Sequence, residues 1–174
     1  MKKTILMLAV IAMAALGFKT SAQNKFAMVD MEYIMKNIPS FEMAQEQLNQ
    51  LSDRYQREVE DLNSQAKQLY QQYLNDKVFM TDDQVKRRET EILEKEKEVT
   101  ALRYKYFGPE GELYKRRQSL LKPIQDEVYN AVKKVADERG YQAIFDRASA
   151  SDSIYASPRI DVSNEVLAKM GYAN

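Results

Sequence analysis

The side chains of this chain that could do chemistry are carboxylates, amines, guanidinium groups and phenols. There are 26 Asp and Glu, 26 Lys and Arg and 11 Tyr, with no His and no Cys. The commonest general base, the thiol nucleophile and the usual zinc ligands are therefore missing. The five glycines spell neither a G-x-G-x-x-G nor a Walker-type loop, so no backbone cradle for a phosphate is encoded. Paired carboxylates could still act as acid and base. Here, however, the acids alternate with Lys and Arg on helical faces and read as solvated surface. The expectation is a protein that is not an enzyme and uses no metal or cofactor, which leaves binding by phenols and amphipathic stripes.

The elements that would position those groups start after residue 22. Met1-Lys2-Lys3, an apolar run from Ile5 to Leu16 and the small residues Thr20-Ser21-Ala22 predict a signal peptide over 1–22. The apolar run is shorter than the ~20 residues of a membrane span, and no Cys follows to carry a lipid. The mature chain is expected to be exported and to be stable without disulfides. Losing Lys2, Lys3 and Lys19 lowers the 26 basic side chains to 23 against 26 acidic ones, a net charge of −3. That balance argues against a nucleic-acid partner.

"KFAMVDMEYIM" (25–35) alternates as a strand buried on both faces does. "NIPS" ends it, with Ser40 as the expected N-cap of a long helix. In that helix Phe41, Leu48, Tyr55, Leu62 and Leu69 recur every seven residues, and a second stripe runs through Ala44, Leu51, Val59, Ala66 and Tyr73. "NDKVFM" (75–80) reads as a turn, and Thr81 with Gln84 spells a capping box. A second helix then carries Val85, Ile92, Val99, Tyr106 and Leu113. Folding the two stripes together about Lys77 sets Leu69 against Val85, Leu62 against Ile92, Tyr55 against Val99, Leu48 against Tyr106 and Phe41 against Leu113. This predicts an antiparallel coiled-coil arm over 41–122 with its tip near 75–81.

The remaining segments, 23–40 and 123–174, are expected to form the body. Ile124, Val128, Ala131, Val132 and Val135 give a helix ended by Gly140. Strands are expected at 141–146 and 151–157, and a closing helix at 161–170. Three strands per chain are too few to close a sheet, and open edges recruit partners. An oligomer follows, with Val29, Met31, Ile144, Phe145, Ile154 and Tyr155 in its shared body. The fold class is thus α+β.

"KFAMVDMEYIM", the charged helical hairpin and "VADERGYQAIFDRASASDSIYASPRIDVSNEVLAKM" together resemble the OmpH/Skp family of periplasmic chaperones. The Gly140-Tyr141 turn, "AIFD", "SIYA" and "DVSNEVL" are the specific part of the likeness. The resemblance implies a homotrimer in the periplasm, with a small trimeric β-barrel body and three arms around a cavity. It also implies an ATP-independent holdase that keeps unfolded outer-membrane proteins from aggregating. The best-known members are strongly basic, and this chain is not, so any lipid contact is expected to be weak. A structural coiled-coil spacer of the envelope, with no client, is the competing reading.

A holdase needs dispersed, adaptable contacts. Tyr70, Tyr104 and Tyr73 on the arm, with Phe79 and Met80 at its tip, are the candidate client contacts. One feature interrupts the arm. In "YFGPEGELY" Pro109 should break the helix, yet the heptad continues in phase beyond it. Gly108, Pro109 and Gly111 are therefore candidate hinge residues near the arm's root, with Pro123 as a second bend. Alanine at the three former positions is expected to straighten and stiffen the arm.

Overall fold

The computed structural model describes residues 25–147, 149 and 154–172. The signal peptide expected over 1–22 thus lies outside the described residues. The elements are β1 (Phe26–Val29), α1 (Met31–Lys36), α2 (Pro39–Asp76), a 3-10 turn (Lys77–Phe79), α3 (Asp82–Phe107), α4 (Glu112–Arg139), β2 (Ala143–Asp146), a second 3-10 turn (Pro158–Ile160) and α5 (Ser163–Met170).

The predicted strand 25–35 is cut short. Asp30 has extended backbone and its carboxylate accepts the Tyr33 N–H at 2.8 Å, which starts α1 in place of more strand. Met31 therefore belongs to a helix. Its neighbours Ile34 and Ile38 are fully buried. Ser40 is not the cap of α2 either: Ile38 occupies that position and Pro39 is the first helical residue. Proline suits that position because its missing N–H would have no intrahelical partner anyway.

β1 and β2 pair in parallel, with Phe26 opposite Ala143 and Val29 opposite Asp146. A parallel pair requires a crossover, and here the whole arm is that crossover. The Lys25 and Val29 carbonyls accept from Gln142 and Arg147, while the Met28 carbonyl accepts from Val162 on the opposite side. β1 is thus central, flanked by β2 and by an isolated bridge to Asp161. The expected strand over 151–157 is not formed at 154–157, and 151–153 lie outside the described residues.

The body core joins β1 and α1 to one face of α4 and to α5. Ile124, Val128, Ala131 and Val135 follow helical spacing on α4 and pack with Ala27, Val29, Ile34, Ile38, Val166 and Leu167. A polar knot closes it. The buried Ser163 hydroxyl accepts the Asp30 N–H at 2.8 Å and donates to Asp161 at 2.6 Å. Arg147 bridges Asp30 at 2.8 Å and Asp161 at 3.6 Å. Gly140, with φ 69°, ends α4 in the left-handed conformation.

Candidate functional site: the helical arm

α2 and α3 form the arm. At 1.5 Å per residue the 38 residues of α2 span about 57 Å. The tip is made as its sequence suggests. The Thr81 N–H donates to Gln84 Oε1 at 2.8 Å, the Gln84 N–H donates back to the Thr81 hydroxyl at 3.4 Å, and Asp82 and Asp83 face the helix dipole.

The predicted seam phase is kept, but its register is not. The Tyr55 and Tyr106 rings stack with centroids 3.8 Å apart, and the Tyr73 hydroxyl bonds to Glu89. The first pair is centred between Met80 and Thr81 and the second on Thr81, instead of on Lys77. The helices are therefore slid by one heptad, about 10 Å, from the predicted pairing. Leu62 now faces Val99, with which it clusters, and Phe41 and Leu120 join the body core together. Of the predicted seam residues, Leu48, Tyr55, Ile92, Val99 and Tyr106 are buried, while Phe41, Leu62, Leu69, Val85 and Leu113 are half-buried.

The slide also moves the interruption. Gly108 lies level with Asp53, about 20 Å along α2 from its start and one heptad farther out than the predicted pairing puts it. α3 ends at Phe107 and α4 begins at Glu112, so the helix is broken outright and not merely kinked. The gap is a four-residue turn closed by the Gly111 N–H to the Gly108 carbonyl at 2.9 Å. Four residues replace about one helical turn of 3.6, and so Tyr106 and Leu113 remain on the same seam. Pro123 sits inside α4, which runs on unbroken from arm to body; no second interruption exists there.

A cluster of polar groups surrounds the break. The Tyr55 hydroxyl donates to Glu112 at 2.8 Å, and the Tyr106 hydroxyl donates to Glu58. The Arg54 guanidinium stands 5.4 Å from the Tyr55 ring centre and the Lys105 amine 5.3 Å from that of Tyr106. Phe107 meets both rings edge-on. The bond to Glu58, followed by burial, pushes the Tyr106 phenol up to about 12. Burial, then Glu112, raises Tyr55. The Tyr55 bond, helped by Lys105, holds the Glu112 carboxyl below its ordinary value.

A family model described as outer membrane protein (OmpH-like) matches residues 25–170. The chain belongs to this OmpH-like family. Among solved structures, a candidate outer membrane chaperone (OmpH-like) from Caulobacter crescentus is similar to it with a TM-score of 0.65 and 13% identity. That alignment covers 88% of this chain and 89% of the other, and at such low identity the likeness is one of fold. Comparison with curated proteins found no match.

On the OmpH-like arm the candidate contact residues divide. Tyr70, Tyr104 and Phe79 are 45%, 70% and 87% exposed, and Met80 is half-buried. Tyr73, at 4%, is packed in the seam with its hydroxyl on Glu89, so it is not free to touch a client. The sequence reading missed Leu74, Val78 and Leu93, which are also exposed. Their signal was available: Leu74 and Leu93 are large aliphatic residues in polar helices, off both heptad stripes, and Val78 stands in the tip turn.

Proposed function

We propose that this OmpH-like chain is an ATP-independent holdase of the periplasm, a homotrimer that shelters unfolded outer-membrane proteins between its arms. One observation carries the reading. The seam is already filled by its own residues, yet Tyr70, Leu74, Val78, Phe79, Leu93 and Tyr104 still stand exposed along the shaft and tip. Such side chains gain roughly 25 cal/mol per Å² of apolar surface they cover, individually little and collectively enough for weak, reversible capture. Tyrosine and leucine dispersed along a helix suit many sequences, where a single deep pocket would suit one. The activity is binding, with no bond made or broken.

The body supports assembly in the same way. Among the described residues its two-stranded sheet leaves an edge beyond β2, and Phe26, Phe145, Ile154 and Tyr155 of the body are exposed, Phe26 and Phe145 with ring centres 6.1 Å apart. Val29 is instead committed to the chain's own core, and Ile144 packs against that core. A client-free spacer would be better served by a polar exterior, which these exposed groups interrupt.

The test dilutes a urea-unfolded outer-membrane β-barrel protein into buffer with and without the chain. Light scattering should stay low in its presence without ATP, and unchanged scattering would remove the holdase reading. The mass of the free protein from multi-angle scattering should be three times that of one chain.

A further inference from the structure

The arm crosses its one break with groups that could have been placed anywhere along the seam. Tyr55 on α2 reaches past the break to Glu112, in the first turn of α4. Tyr106, on the last turn of α3, reaches back to Glu58 on α2. The two rings are stacked 6° from parallel, and they are the only such pair among the described residues. α2 is therefore bonded separately to the helix before the break and to the helix after it. Lys105 reinforces the span by pairing with Glu112 at 3.4 Å, and Arg54 pairs with Glu58 at 3.7 Å.

We propose that Tyr55, Tyr106, Glu58 and Glu112 form a latch that holds the outer arm at a fixed angle to the body, and that opening it turns the Gly108–Gly111 turn into a hinge. A helix cannot bend freely where its hydrogen-bond ladder is intact, but this ladder is already interrupted. α2 runs past the gap with its own ladder intact, so the bend is limited to what one continuous helix allows, and what fixes α3 and α4 against that helix is two phenol–carboxylate bonds whose partners lie on opposite sides of the gap. Each is charge-assisted, the class of bond that is stronger than a neutral one. The glycines then give the turn the room it needs, and the pair of tyrosines decides whether that turn moves.

The chain lacks cysteine, so two spin labels can be placed alone, at Asn75→Cys near the tip and Lys134→Cys on the body part of α4. Labelled chains are mixed with an excess of unlabelled ones so that only distances within one chain are read, and no client is present. From Gly108 to the tip the lever is about 35 Å, so a swing of about 10–20° moves the tip by about 6–12 Å. Tyr55→Phe with Tyr106→Phe keeps both rings and removes both hydroxyls, and should broaden the distance distribution by that amount. Tyr55→Phe alone should broaden it less, and it carries the test if the double variant loses helicity. Tyr73→Phe removes the same kind of bond away from the break and should leave the distribution as in the parent. Unchanged width in the Tyr55 variants, or equal broadening from Tyr73→Phe, would overturn the proposal. The result does not depend on what the arms bind.

Discussion

Alanine at the arm break should destabilise the protein, not stiffen it. A Cβ placed on Gly111 would lie 2.7 Å from the Tyr106 carbonyl oxygen and 2.9 Å from both its carbon and the Gly108 nitrogen. On Gly108 the nearest atom, the Tyr104 carbonyl oxygen, is 2.4 Å away. These are main-chain atoms, so no side-chain rotation relieves the clash. The φ values of −62° and −67° are open to any residue, which makes this a demand for space and not for handedness. Overpacking of this kind costs about 1–3 kcal/mol. Alanine also narrows the unfolded ensemble, which offsets about 0.4–1 kcal/mol of that. The net loss of about 1–2 kcal/mol lowers Tm by roughly 2–8 °C in a chain of this size. Thermal and urea unfolding followed by circular dichroism measure it, at one fixed concentration because association shifts apparent stability. Gly140→Ala is the useful comparison, since its φ of 69° imposes strain in open space and a loss near 1 kcal/mol. If Gly111→Ala melts at or above the parent temperature, the turn is not packed as described and the reasoning fails.

The register can be read by crosslinking: Leu69→Cys with Ile92→Cys should form a disulfide faster than Leu62→Cys with Ile92→Cys, because the slide separates the second pair by about 10 Å. Thr81→Ala removes the capping box and should lower stability by about 1 kcal/mol in urea unfolding, with little change in client-free mass. Tyr106 has a folded pKa raised to about 12, above the ordinary phenol value of 10.0, so its contribution is complete below pH ~10 and is lost as pH rises toward 12. Tyr106→Phe should therefore flatten the alkaline limb of the stability profile. Glu112 is shifted the other way, so its contribution is present above the ordinary value of 4.5 and fades as pH falls through the lower folded one. Glu112→Gln should flatten the acid limb, a difference visible in melting temperatures measured across that range.

The arm was legible because its determinants are local. A heptad, a capping box and a breaker each announce themselves within a few residues, and all three form where expected. The body was harder because its determinants are distant in sequence. Phe26 to Val29 become a strand by pairing with Ala143 to Asp146, more than a hundred residues on. Asp30 then turns an apparently continuous strand into a helix, supported by Ser163 and Arg147 from the far end of the chain. The alternation at 25–35 could not reveal that, although Ile34 and Ile38, four apart, were a helical hint. Ile154 and Tyr155 carry strand-forming side chains but find no partner strand among the described residues.

The register error has a sharper cause. A strict heptad is unchanged by a slide of seven residues, so apolar pattern alone determines phase and never register. What breaks the degeneracy is chemistry that does not repeat. Pairing about Lys77 would set Tyr55 against Val99 and Tyr106 against Leu48, leaving each phenol opposite an aliphatic side chain. Sliding one heptad stacks the two rings on each other and brings Tyr55, Tyr106 and Tyr73 to Glu112, Glu58 and Glu89. A buried phenol without a partner costs more than one aliphatic contact returns, so the polar minority of the seam selects among alignments that the apolar majority leaves equal. These three tyrosines are thus the residues that align the seam, and two of them also bridge the break that the glycines open.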